Sequence, residues 1–176
     1  MSTQTITKQG YLVDLIQQIR QVPMVKPWLK EARDRAAIIL EELTLPTKKD
    51  EAWQFTDLAN LYATNFVLAT NKAVAIQDIS HLILPEAENS HLVFINGFFA
   101  AELSSRQALP EGVFVGNLSQ LPDPYLIENY LGKQQDSNEV FNAINTAGIN
   151  DVAIVWVNKN IVVEAPVHFI VYYYSR

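Results

Sequence analysis

The chain has 176 residues, of which 49% are hydrophobic and 18% are charged, and its formal net charge is −6. The high hydrophobic content excludes general disorder, and the negative charge argues against binding to nucleic acid or anionic lipid. The sequence contains no cysteine. This absence excludes disulfide bonds, a thiolate nucleophile and a cysteine-ligated metal centre within this chain.

The first nine residues are polar. They show neither the apolar stretch of a signal peptide nor the arginine-rich pattern of a transit peptide. No apolar run approaches the roughly 20 residues that a membrane-spanning helix needs. We therefore expect a cytoplasmic protein of prokaryotic type with no membrane partner.

Two amphipathic helices are predicted at the start of the chain. The first should end at Val22 and Pro23, and the second should begin near Pro27, since proline suits a first helical turn. Glu31 and Arg35 form a favourable i, i+4 pair on the polar side. We expect an ordinary helical hairpin rather than a dedicated binding groove. Its apolar positions are Tyr11, Leu12, Leu15, Ile16 and Ile19 in the first helix, and Trp28, Leu29, Ala32, Ala36, Ile39, Leu40 and Leu43 in the second.

A distinctive segment, residues 46–58, follows these helices and begins with a proline. Thr47 and Asp50 have the spacing with which side chains cap a short helix. Trp53 and Phe55 are large apolar side chains in an otherwise polar stretch. We expect both to anchor the segment to the core.

The clearest β signal is the pair Asn96 and Gly97 between the strand-like runs 91–95 and 98–103. Both residue types tolerate the positive φ of a type I′ turn, so this pattern predicts a hairpin. Further predicted elements are a helical turn at 57–62, a strand at 113–115, and helices at 124–131 and 138–147, the last ending at Gly148.

The tail of the sequence is predicted to be all strand. The run 152–157 is apolar on both alternating faces, so we expect it to be sandwiched between other layers. After a turn at 158–160, two more strands are predicted at 161–163 and 167–174. An unprotected strand at the end of a domain invites aggregation, and we therefore expect the chain to be part of a larger protein.

Sequence motifs for chemistry are missing. There is no phosphate-binding loop, dinucleotide-binding glycine motif, nucleophile elbow or paired-histidine zinc motif, so we expect no ATP hydrolysis. The three histidines, His81, His91 and His168, are far apart in the sequence and stand in unlike contexts. They are better interpreted as solvated or core histidines than as a metal site.

The acidic residues also show no pattern typical of a catalytic site. None shows a second carboxyl group in a setting suited to acid–base catalysis, so we expect a solvated surface. The tyrosines at 172–174 are expected to pack in a strand rather than to bind sugar. The acidic residues concerned are Asp50, Glu51, Glu86, Glu88 and Asp123.

Several motifs resemble the SufB/SufD family of iron–sulfur cluster assembly proteins. Segment 46–58 resembles the family signature P-x-x-K-x-E-x-W-x-[FY]-T-x-L. Residues 93–99 resemble the Asn-Gly hairpin of the family, and 143–147 resemble the helix that precedes the first strands of its core. Residues 163–168 match a further family motif, V-E-x-P-I-x-I. The motifs occur in the family's order and cover most of the chain.

The resemblance implies an α+β fold, in which an N-terminal helical domain leads into the first strands of a right-handed parallel β-helix, here truncated. It implies a helical domain at 1–65, a mixed segment with the hairpin at 66–148, and incomplete β-helix strands at 149–176. Asn150 and Asp151 depart from the Asp-Gly that the family often has before the first strand, which could alter that turn.

The resemblance also implies the function of a non-catalytic scaffold subunit. Such a protein pairs with a SufB-like paralogue and engages a SufC-like ABC-type ATPase, and the full complex handles the iron–sulfur cluster. SufD is favoured over SufB because a short helical pair leads directly to the signature. No catalytic, cofactor-binding or metal-binding residue carries over, since the family's cluster and ATPase residues lie later in the chain.

Two alternatives stay open. A β-helix carbohydrate-processing enzyme would be expected to have a secretory signal and clustered charged residues on one sheet, and neither is visible. A stand-alone structural module fits poorly with the β ending. If the chain associates at all by itself, we expect weak self-association through the strand edge at 167–174.

Overall fold

The structure is a computed structural model that describes residues 8–21, 26–123, 125–133 and 139–174. Val22, Pro23, Pro124 and Asn138, at which helix boundaries were predicted, lie outside the described residues.

The chain forms two compact units, and each is assembled from two separate stretches of sequence. We call them the helical unit, Met1–Leu68 with Tyr125–Asn150, and the sheet unit, Ala69–Pro124 with Asp151–Arg176. The three-part division inferred from the sequence follows chain order and stays a prediction.

The two predicted N-terminal helices are confirmed. The second helix starts at Pro27, and Arg35 Nη2 lies 3.2 Å from Glu31 Oε1 on its exposed side. The predicted helices near 60, 125 and 143 are also present, but each is shorter than expected. The helices are α1 (Lys8–Gln21), α2 (Pro27–Glu42), α3 (Ala59–Ala63), α4 (Ile76–Ile79), α5 (Tyr125–Glu128) and α6 (Val140–Ala147).

The core of the helical unit lies between α1, α2 and α6. Helix α6 packs along α2, and small side chains such as Ala36 and Ala143 at buried positions allow two helices to approach closely. Tyr62 of α3 closes one end, with its ring centroid 5.7 Å from that of Tyr11. The buried members of this core are Tyr11, Leu12, Ile16, Ile19, Ala36, Ala37, Leu40, Leu45, Tyr62, Val140, Ala143 and Ala147.

Arg33 is a charged residue inside the helical unit, with only 7% of its surface exposed. Its Nε donates to the carbonyl oxygen of Ala147, and its Nη2 donates to that of Ile19, both at 3.1 Å. These carbonyls belong to the last turns of α6 and α1, where main-chain oxygens lack helical partners and the helix dipole favours a cation. One side chain of α2 therefore caps the ends of two other helices.

The sheet unit contains two small sheets. The first has the order β2-β1-β5, with β1 antiparallel to β2 and parallel to β5; in the second, β3 and β4 are antiparallel. Asn96 (φ 51°) and Gly97 (φ 85°) both adopt positive φ in the turn between β1 and β2, which confirms the predicted hairpin. The strands are β1 (His91–Ile95), β2 (Phe98–Phe99), β3 (Val113–Asn117), β4 (Ala153–Val157) and β5 (His168–Tyr172).

The two sheets meet at β1 and β3. Cross-strand partners point the same way, so Val93 and Ile170 share one face of the first sheet, which is buried against α4. On the opposite face, Leu92 and Phe94 of β1 pack with Val115 of β3. All five residues of β1 are buried, as expected for a central strand covered on both sides.

Three strand predictions are wrong in detail. β4 is not sandwiched, because Ile154 and Trp156 are covered while Ala153, Val155 and Val157 are exposed. The run 161–163 forms no strand, and after Phe99 the chain turns into a short 3₁₀ helix, Ala101–Leu103. β4 pairs with β3 but has one face uncovered. The runs 161–163 and 101–103 are not strands, because no described strand pairs with them.

Replacing Arg33 tests the double helix cap. We expect Arg33→Met to lower the free energy of unfolding by roughly 2–4 kcal/mol, because two buried carbonyl oxygens lose their donors. Arg35→Met, an exposed change on the same helix that removes only the pair with Glu31, should cost about 0.5 kcal/mol or less. Chemical denaturation of both variants measures the difference. Equal losses would contradict the capping role.

Alkaline pH tests the packing of Tyr11 and Tyr62. Burial raises the pKa of Tyr11 above its usual 10.0, and burial, followed by the charges of Tyr11 and Asp50, raises the pKa of Tyr62. A raised folded-state pKa gives stability that is complete below pH 10 and is lost as pH rises through the folded-state pKa. We expect Tyr11→Phe to leave neutral stability little changed and to move alkaline unfolding to higher pH, as followed by circular dichroism. An unchanged alkaline midpoint would count against burial as the cause.

Candidate functional site

The segment 46–58 folds into a turn held by its own side chains. The Asp50 carboxylate accepts hydrogen bonds from the main-chain N–H of Thr47 at 2.6 Å and from its hydroxyl at 3.0 Å. The Thr47 hydroxyl oxygen in turn accepts the N–H of Lys49 at 3.1 Å. Thr47 and Asp50 thus interact as predicted, but they close a turn rather than cap a helix, because the 3₁₀ helix Glu51–Trp53 begins after Asp50 and has no side-chain capping hydrogen bond.

The other end of this segment is fixed to its beginning. Lys48 Nζ lies 2.8 Å from Asp57 Oδ2, and the Ala59 N–H donates to Asp57 Oδ1 at 3.0 Å. The hydrogen bond from Lys48, followed by that from Ala59 and by the lysine charge, lowers the pKa of Asp57. Tyr62 donates its hydroxyl to the Pro46 carbonyl at 2.9 Å. Hydrogen bonds and one ion pair therefore hold the two ends of the segment together, and we call it the closed segment.

The two aromatic side chains of the segment have opposite environments. Trp53 is half-buried, and its ring centroid lies 5.2 Å from that of Phe141 in α6. Phe55 is 94% exposed. The expectation that both anchor the segment to the core is therefore wrong for Phe55, because the hydrogen-bonded turn directs it to solvent. Trp53 anchors the segment to α6, and Leu58, its last residue, also packs against the helical core.

A second uncovered apolar surface lies in the sheet unit. The register pairs Phe169 with Leu92 and Val155 with Val115, so these side chains belong to the faces on which the two sheets pack. Leu92 and Val115 are buried there, whereas the matching side chains of β5 and β4 are not. We call the uncovered side chains the open face: Val155 (43% exposed), Val157 (41%), Phe169 (40%) and Val171 (53%).

The histidines do not form a metal site in the described part of the chain, where no group of three potential ligands occurs. His91 is buried, and its two ring nitrogens lie 3.1 Å from the carbonyl oxygens of Ala87 and Leu103. His168 is its cross-strand neighbour, so the fold brings together two residues that are far apart in the sequence. His81 is exposed.

The remaining candidate residues lie at the surface. All five of the acidic residues named from the sequence are exposed, and Asp50 has the structural role described above. Among the tyrosines of the tail, Tyr172 packs against the buried face of the first sheet. Tyr173 and Tyr174 are exposed, and Lys72 Nζ lies 4.4 Å from the centre of the Tyr174 ring.

A family model described as the SufBD protein N-terminal region matches residues 7–169. The chain belongs to the SufBD family. It is 42% identical over 144 residues, 81% of this chain, to an iron–sulfur cluster assembly SufBD family protein of Synechocystis sp., of which the match covers 32%. It is 28% identical over 142 residues, 80% of this chain, to the chloroplastic protein ABCI7 of Arabidopsis thaliana, of which the match covers 29%.

The chain thus spans about a third of the length of the curated relatives that it matches. Among its described helices, none is long and apolar enough to cross a membrane. The family signature coincides with the closed segment 46–58, and the family hairpin with β1 and β2. Sequence reasoning missed the open face, since only the pairing of distant strands reveals it.

Two substitutions in the signature segment compare its half-buried aromatic side chain, Trp53, with its exposed one, Phe55. We expect Trp53→Ala to lower the free energy of unfolding by about 1–3 kcal/mol, less than for a fully buried aromatic, because the ring is only partly covered. Phe55→Ser should leave it unchanged within about 0.5 kcal/mol, as for an exposed site. Thermal and urea unfolding measure both. A large loss with Phe55→Ser would show that this side chain packs in solution.

Proposed function

We propose that this chain is the N-terminal part of a non-catalytic scaffold subunit in the assembly of iron–sulfur clusters. The observation that carries the proposal is the family match over residues 7–169, which includes the signature segment and the hairpin. The Synechocystis relative is an iron–sulfur cluster assembly SufBD family protein, which supports the proposed process. No specific observation favours the carbohydrate-processing alternative.

The subunit is of the SufD type and works with a SufB-like paralogue and a SufC-like ABC-type ATPase. This finer assignment rests on the resemblance of the signature segment and on the short helical pair that precedes it. The cluster is held by the full complex rather than by this part, whose sequence has no cysteine to ligate one. The proposed location is the cytoplasm, although the Arabidopsis relative is chloroplastic.

In the longer protein, β1 and β5 would begin a right-handed parallel β-helix. Two features support this part of the proposal. β5 runs parallel to β1 over five residue pairs and occupies the edge of its sheet, so its other side can pair with a further strand. The open face on β4 and β5 is apolar, as the interior of such a coil requires. Further coils would cover it.

Capture of the ATPase tests the proposed partnership. We expect a purified SufC-like ATPase to bind the full-length protein and not the 176-residue chain, because the resemblance assigns the ATPase contact to a later region. The short bait should carry Val171→Lys, a charge on the exposed face of β5 that opposes self-association through the strand edge. Immobilised full-length and short baits are compared in parallel. Equal capture would refute the assignment of the contact.

A further inference from the structure

His91 is a buried histidine whose two ring nitrogens both face carbonyl oxygens. Only 5% of its surface is exposed. Its Nδ1 lies 3.1 Å from the Ala87 oxygen, and its Nε2 lies 3.1 Å from the Leu103 oxygen. A carbonyl oxygen can only accept a hydrogen bond, whereas a neutral imidazole has one donor and one acceptor nitrogen. Both contacts are therefore hydrogen bonds only when the ring carries two protons.

The neutral ring cannot satisfy this environment in either tautomer. One lone pair would face a carbonyl oxygen at 3.1 Å with no hydrogen atom between them. Because the ring is buried, it has little access to water that could replace the lost partner. An unsatisfied polar contact is costly where water is excluded. The geometry therefore favours the charged ring.

The neighbouring histidine has the opposite requirement. His168 pairs with His91 across β5 and β1, so the two side chains share a face of the first sheet. The main-chain N–H of Leu84 donates to His168 Nδ1 at 3.5 Å, and only an unprotonated nitrogen can accept that hydrogen bond. Two positive rings side by side would also repel each other. The pair therefore accommodates one extra proton, and its place is on His91.

No carboxylate is paired with the His91 ring in the described part of the chain. Tyr172 continues the same face along β5, and Lys72 lies over the ring of Tyr174 beyond the end of that strand. The other titratable or charged side chains on the segments around this face are exposed to solvent. They are Asp78, His81, Glu86, Glu88, Glu102 and Arg106.

We propose that His91 is a proton-dependent clasp within the sheet unit. Its charged ring joins the 3₁₀ helix Pro85–Ala87, which leads into β1, to the 3₁₀ helix Ala101–Leu103, which follows the hairpin. Loss of a proton breaks one of these two contacts. The main-chain hydrogen bonds between His91 and Ser105 remain, so the clasp changes the stability of the hairpin without dismantling the sheet.

Nuclear magnetic resonance of the ring nitrogens tests the clasp in the unsubstituted chain. Between about pH 5 and 8, where histidines exchange a proton, the ¹⁵N shifts of His91 report whether one or both nitrogens are protonated. While the ring is charged, we expect slowly exchanging hydrogens on both Nδ1 and Nε2. His81, which is exposed, is the control and should show neither. Rapid exchange of either hydrogen on the charged His91 ring would overturn the proposal, as would a neutral ring at the acid end of the range.

The second arm measures how stability depends on pH. Because the contacts hold the charged ring in the folded chain, stability is greatest where the ring is charged and falls as pH rises through this range. We expect the urea midpoint to fall between about pH 5 and 8 in the unsubstituted chain and in His81→Gln. His91→Gln retains a donor but cannot titrate, so it should reduce that fall by roughly half or more. An equal fall in His91→Gln would overturn the proposal. If that variant does not fold, the resonance measurement, which needs no substitution, decides alone.

Discussion

A buried guanidinium sets the architecture of the helical unit. A charged group can stay inside a protein only when hydrogen bonds replace its water, and Arg33 finds acceptors in the last turns of α1 and α6. Both helix ends must therefore converge on the middle of α2. Because α6 lies more than a hundred residues further along the chain, the unit closes only after most of the sheet unit has been passed. The discontinuous division of the chain follows from this requirement.

The signature segment shows how a short sequence can be ordered without being buried. Asp50 and Asp57 satisfy main-chain donors and hold Thr47 and Lys48, so the turn needs little apolar packing beyond Trp53. Burial raises the pKa of Tyr11 and Tyr62, whereas hydrogen bonds from Lys48 and Ala59 lower that of Asp57. Both kinds of shift follow from contacts that hold the fold together.

What the sequence could predict was local. The i, i+4 spacing of α1 and α2, the proline at the start of α2 and the Asn-Gly turn each depend on a few neighbouring residues, and all were found. The environments of Phe55 and β4 depend on which distant elements arrive, and there the predictions were wrong. The parallel register of β1 and β5, and the open face that it reveals, likewise join residues far apart in the sequence.

The uncovered apolar surfaces of this chain differ in physical meaning. The open face continues two packed faces whose other halves are buried at Leu92 and Val115, so the surface that completes it must supply apolar side chains in strand register. Phe55 belongs to no apolar cluster and stands alone on a closed turn. Single exposed apolar side chains of this kind are common on protein surfaces. The open face is therefore half of a packed layer, whereas Phe55 is a single exposed side chain.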